Sequence, residues 1–104
     1  MDVFEAIAEP NRRRILGLLS RSELPAGELV RAMGLSQPGV SKHLKCLREA
    51  GLVSMRADGQ RRLYRIETDK LVELDAWLEP YRRFWRDRLD ELDHELRPKE
   101  QADD

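Results

Sequence analysis

A chain of 104 residues sets the scale of one small domain, with room for a modest core but not for a deep catalytic cavity. Charged residues make up 38% of it, no apolar run approaches the ~18 residues of a membrane span, and the opening MDVFEAIAEP lacks the basic-then-apolar order of a secretion signal, so a soluble cytoplasmic protein is expected. The single cysteine, Cys46, excludes an internal disulfide and any multi-cysteine metal site.

Taken in chain order, the signals predict a first helix over Val3 to Ala8, with Asp2 near its start and Phe4, Ile7 and Ala8 inward. Pro10 and Asn11 are expected to break it, Asn11 capping a second helix whose stripe is Ile15, Leu16, Leu18 and Leu19. After a turn at Ser22 and Glu23, Leu24 opens a short strand. A third helix follows from Ala26 to Met33, with Leu29, Val30 and Met33 as core candidates. Gly34 suits a left-handed helix end. Ser36 caps the fourth helix, with Pro38 in its first turn and Gly51 at its end. The runs Leu52–Met55 and Arg61–Ile66 flank an Asp58-Gly59 pair, a strong hairpin signal. Thr68 caps a last helix with Asp69 near its positive end. The predicted class is mainly α with a small β-hairpin wing: a winged helix-turn-helix with a long C-terminal dimerisation helix. Residues 1–97 form the domain, 68–97 that helix, and 98–104 a disordered tail.

The fourth helix, 37–50, carries two faces. At ~100° per residue, Val40, Leu44 and Leu47 gather in a narrow apolar arc, while Gln37, Pro38, Ser41, Lys42 and Lys45 spread over another. Amide, hydroxyl and ammonium groups on a helix can meet base edges and phosphates in a major groove. Gln37 suits adenine, Pro38 a thymine methyl, Ser41 a base or phosphate, and Lys42 and Lys45 the phosphates. Charge distribution points the same way. Residues 36–66 hold seven Lys/Arg against two Asp/Glu, whereas residues 67–104 hold seven against thirteen. The basic segment thus coincides with the reading helix and with the hairpin, where Arg56, Gln60, Arg61 and Arg62 surround the turn. Tyr64 and Ile66 share a strand face and are expected in the core. Arg12, Arg13 and Arg14 start the second helix, and could take phosphate or pair with acids of the final helix.

EPNRRRILGLLS, AGELVRAMGLSQPGVSKHLKCLREAGLV and DGQRRLYRI resemble, in order and spacing, the ArsR/SmtB-type bacterial transcriptional repressors. The likeness spans roughly residues 3–66, and the string S-Q-P-x-V-S-K-H-L-x-x-L-x-x-A-G-L-V is highly specific. It implies a homodimer on an operator of double-stranded DNA, with the fourth helix reading bases and the 56–62 wing on the backbone or minor groove. It also places the reading positions on Gln37, Pro38, Ser41 and Lys42, with Lys45 on phosphate. The final helix resembles a subgroup without the usual metal ligands: the third helix, ELVRAMG, has no cysteine, and in the final helix His94, paired at helical spacing with Asp90, has no second histidine. No metal and no cofactor are expected.

Apolar residues recur along the last helix at Leu71, Leu74, Leu78, Tyr81, Trp85, Leu89, Leu92 and Leu96, close to the 3.5-residue period of paired helices. Leu71 and Leu74 suit the helix's own domain; Leu78, Tyr81, Trp85, Leu89 and Leu92, with Phe4, are candidates for a dimer interface. Pro80 is expected to kink or interrupt the helix. Cys46 and His43 read as packing residues of the fourth helix, with no third group to make a catalytic set. An enzyme is therefore not expected. The alternatives are a small-molecule- or thiol-responsive regulator of the same kind, through the aromatic final helix or Cys46, and a winged helix that docks proteins.

Overall fold

The structure, a computed structural model, describes residues 1–96, so the predicted tail lies outside the described residues. The chain divides into two compact units, Met1–Leu74 and one beginning at Asp75. The first contains α1 (Val3–Ile7), α2 (Pro10–Leu19), β1 (Leu24–Pro25), α3 (Ala26–Met33), α4 (Gln37–Glu49), β2 (Val53–Asp58) and β3 (Arg61–Ile66). The last helix, α5 (Asp69–Leu96), contributes its first residues to this unit and the remainder to the other.

Five residues are too few for a helix to hold itself in water, so α1 depends on its surroundings. Asp2 caps it, its Oδ1 accepting the Glu5 N–H at 2.8 Å. Its buried face is Val3 and Ala6; Phe4 and Ile7 are half-buried against the core, and Ala8 is exposed, correcting the inward set expected from sequence. The orphaned carbonyls at its end are taken by α2. Arg12 donates to Ala6 O through Nε at 2.7 Å and to Glu5 O at 3.1 Å, and Arg13 donates to Ile7 O at 2.7 Å. Arg14 reaches Asn11 Oδ1 at 3.3 Å and Met33 O, at the end of α3, at 3.5 Å. The three arginines thus serve helix ends. Arg12→Ala should cost about 2 kcal/mol, since charge-assisted bonds to two carbonyls are lost. A thermal melt should show a fall of roughly 10 °C; an unchanged Tm would contradict this role.

The α1–α2 junction also differs from expectation. The expected break between the helices is present, but Pro10 belongs to the second helix, occupying the first turn of α2, where a missing N–H is no loss. The cap is Glu9, whose Oε2 accepts the Arg12 N–H at 2.9 Å, and Asn11 lies inside the helix. The core under these helices is built by Ile15, Leu29, Val40, Leu44, Leu47 and Leu52, all fully buried.

Between α3 and α4 the turn is Gly34-Leu35-Ser36. Gly34 adopts φ +67°, its N–H bonding to Val30 O at 3.1 Å, and Ser36 Oγ accepts the Gly39 N–H at 3.2 Å. The far end of α4 closes with paired bonds: Gly51 N–H to Arg48 O and Leu52 N–H to Leu47 O, both 3.0 Å. Gly51 has φ +78° and leads Leu52 into the core beneath Leu47. Gly51→Ala would force a side chain into the left-handed region and should destabilise by about 1–2 kcal/mol. Denaturant unfolding would register it as a lower midpoint with an unchanged slope.

The strands form one antiparallel sheet in the order β1-β3-β2. Met55 stands opposite Tyr64 and Tyr64 opposite Leu24, while Arg56 stands opposite Leu63 and Leu63 opposite Pro25. Strand alternation therefore sends Val53, Tyr64, Ile66 and Leu24 to the core side, where all four pack. Ser54, Arg56, Leu63 and Arg65 belong to the outer side. Leu63 is only 8% exposed, although it lies outside the main core cluster.

Pro80 does not interrupt α5, which remains helical through it. Arg82 brackets the proline, its guanidinium donating to the Asp75 carbonyl at 2.6 Å and to the Asp75 carboxylate, and pairing with Glu79 at 3.0 Å. Those bonds tie the turns on either side of the missing N–H.

Candidate nucleic-acid interface

Burial of Val40, Leu44 and Leu47 fixes the rotation of α4, and Gln37, Pro38, Ser41, Lys42 and Lys45 all lie exposed as a result. Gln37 and Ser41 share a cleft of about 500 Å³ with Arg61, Arg62 and Tyr64 of β3 and with Pro25, Ala26, Gly27, Glu28 and Arg31. Helix α4 and strand β3 therefore border one hollow. Lys45 lines a second hollow of about 520 Å³ with Arg48, Glu49 and the base of β2. Pro38, Lys42 and Gln60 stand exposed beside these hollows without lining them. Arg31, 3.3 Å from Glu28, and Arg48 adjoin the basic surface, and sequence reading had given neither a role. Their exposed places on α3 and α4 next to the reading face were the available signal.

The wing cations differ in their partners. Arg61 pairs with Asp58 across the turn at 3.1 Å. Arg56 donates two hydrogen bonds, both 2.9 Å, to the carboxylate of Glu23. Arg62 is exposed and shares its strand face with Tyr64, toward the cleft. At the base of the wing, Ser54 Oγ donates to Glu67 Oε1 at 2.5 Å, and Arg65 Nε lies 3.2 Å from both oxygens.

Two carboxyls flanking the wing, Glu23 and Glu67, are held low by their donors. The hydrogen bond from Arg56 holds Glu23 below its ordinary value of 4.5, and the hydrogen bond from Ser54, then that from Arg65, does so for Glu67. A depressed folded-state value means the stabilisation is complete above the ordinary carboxylate range and is lost as pH falls through the folded values. The Glu23–Arg56 and Glu67–Ser54 contacts should accordingly persist from neutral pH down through the ordinary Glu range and loosen only in stronger acid. A carboxyl-carbon NMR titration checks this; midpoints at or above the ordinary Glu value would contradict it.

His43 is half-buried, its Nδ1 3.7 Å from Glu9 Oε2, the oxygen that caps α2. Cys46 is half-buried on the same helix. Among the described residues no three His, Cys, Asp or Glu side chains gather as a metal set, and no helix is long and apolar enough to cross a membrane. In the second unit, Leu78 is half-buried, whereas Tyr81, Trp85, Leu89 and Leu92 are between 48% and 61% exposed. Phe84 and Leu96 extend that apolar exposure.

A short-turn helix pair with a capped reading helix and an adjoining antiparallel wing defines the winged helix-turn-helix class of DNA-binding regulators. Residues 9–55 match the family model described as bacterial regulatory protein, arsR family. The chain is 35% identical over 77 residues to the transcriptional repressor SdpR of Bacillus subtilis, spanning 74% of this chain and 86% of SdpR. It is 39% identical over 71 residues to the probable mercury resistance operon repressor of Streptomyces lividans, spanning 68% of this chain but only 57% of that protein. A crystal structure of a possible transcriptional regulator for arsenical resistance superposes with a TM-score of 0.72 at 38% identity, covering 94% of this chain and 99% of that one. The chain belongs to the arsR family of bacterial regulatory proteins, a family of DNA-binding transcriptional regulators, and its family is not one of enzymes.

Proposed function

We propose that this chain acts as a homodimeric repressor that occupies an inverted-repeat operator. Each copy lays α4 in a major groove, with Gln37, Pro38 and Ser41 at base edges and Lys42 and Lys45 on phosphate, while Gln60, Arg61 and Arg62 of the wing approach the backbone or the minor groove. The observation that carries the reading is the two-sided α4: a fully buried arc of Val40, Leu44 and Leu47 backs an exposed polar arc that opens onto a hollow shared with wing arginines. The dimer rests on the second unit. Trp85 and Leu89, 51% and 61% exposed on a helix of paired-helix spacing, present apolar area that a second copy would remove from water. Two reading helices then engage successive major grooves ~34 Å apart.

The test is equilibrium binding to a duplex that the protein itself selects from a randomised pool, repeated as salt is raised. Each neutralised phosphate contributes a slope of about −0.9 in log affinity against log salt, so binding should weaken steeply. Affinity indifferent to salt would instead favour docking of a protein partner on the same face.

A further inference from the structure

A basic side chain on the wing of a DNA-binding fold invites assignment to phosphate, yet Arg56 is committed elsewhere. Its Nε and Nη2 donate to the two oxygens of Glu23, each at 2.9 Å, in the planar fork that makes arginine–carboxylate pairs directional. The partners are 33 positions apart in sequence, one on β2 and one in the turn before β1. Central strand β3 lies between them, with Arg56 opposite Leu63 and Leu63 opposite Pro25. A bridge from Arg56 to Glu23 therefore crosses the sheet at Leu63, on the face away from the core. Leu63, 8% exposed, is buried outside the main core cluster. Arg62 and Tyr64 alternate to the opposite face of β3 and line the cleft shared with Gln37 and Ser41, which Arg61 and Pro25 also border. The other wing-tip pair, Arg61 with Asp58, is internal to the hairpin and ties it to nothing else.

We infer that Glu23 and Arg56 are positioning residues for DNA binding: their fork spans the sheet over Leu63 and holds the wing at its angle to the reading helix, and Arg56 takes no phosphate itself. The consequence for DNA rests on the proposed function; the strut itself does not. The two assignments of Arg56 predict opposite signs for one substitution. If Arg56 were a phosphate contact restrained by Glu23, Glu23→Gln would release it and tighten binding. As a strut, Glu23→Gln loosens the wing and weakens binding even though a negative charge has been removed.

Glu23→Gln, Arg56→Gln, Arg62→Gln and the exchanged pair Glu23→Arg/Arg56→Glu should be compared on the selected duplex across a salt series. Amide hydrogen exchange over residues 57–62 of the free protein is measured alongside. Glu23→Gln and Arg56→Gln are each expected to weaken binding about twofold to fivefold, the range of a well-formed exposed ion pair, with the salt slope of the wild type. Arg62→Gln should make the slope shallower by about one per protomer. The exchanged pair should restore affinity to within about twofold of wild type and return the hairpin's exchange, raised severalfold in Glu23→Gln, to its original rate. Tighter binding by Glu23→Gln, or a slope loss in Arg56→Gln equal to that of Arg62→Gln, would overturn the inference. If the wild type selects no duplex, the DNA reading fails on its own account. The exchange data then decide the strut: unchanged hairpin protection in Glu23→Gln overturns it.

Discussion

Trp85→Glu combined with Leu89→Glu should convert the protein to a monomer and lower affinity for the selected duplex by about a thousandfold or more, the interval separating specific from non-specific binding. Both side chains are at least half exposed on the second unit, so the substitutions leave the buried residues of the first unit untouched. A carboxylate at each site would be buried without a partner in any helix pairing through that face, and the cost of desolvating charge then opposes association in both copies at once. Sedimentation equilibrium reads the mass, and far-UV circular dichroism should show the first unit's helices retained. A dimer that survives both charges would move the interface elsewhere.

Lys42→Glu should weaken duplex binding by about a hundredfold while leaving Tm within a degree or two. Lys42 is exposed on α4, outside the arc of Val40, Leu44 and Leu47, so its removal affects no packing. Reversal of its charge removes one phosphate contact and adds a repulsion at each of two half-sites, so the salt slope should also become shallower by about one per protomer. Retained affinity together with a retained salt slope would take Lys42 off the DNA.

The parts of the fold that sequence exposed are those carried by short-range signals. Gly34 ends α3, and Ser36 and Gly51 bound α4, within a residue of expectation because each satisfies a local backbone requirement: a cap for a free N–H, or a left-handed φ. Asp58-Gly59 marked the hairpin for the same reason. What remained hidden depends on tertiary pairing. Nothing local in Arg12 and Arg13 says that their donors will find the final carbonyls of α1, since that requires the angle at which α2 meets α1. Pro10 carries the same ambiguity, because a proline that ends one helix is equally suited to begin the next.

The exposed polar face of α4 was legible in the sequence, but the partners of the wing arginines were not. Helical periodicity alone selected Gln37, Pro38, Ser41, Lys42 and Lys45 on α4, whereas proximity to the hairpin turn grouped Arg56 with Gln60, Arg61 and Arg62. Proximity along the chain cannot show that Glu23 lies two strands away across Leu63. It also cannot distinguish an arginine held by a carboxylate from one that faces the cleft. Strand alternation could have separated Arg56 from Arg62 by face, had the register of the hairpin been in hand.

The central claim, that two copies of α4 read one operator through paired second units, is tested most directly by hydroxyl-radical and methylation footprinting of the wild-type protein on its selected duplex. Two protected segments related by a dyad, with their major-groove contacts centred about one helical turn apart, are the predicted result. A single protected segment without half-site symmetry would contradict it.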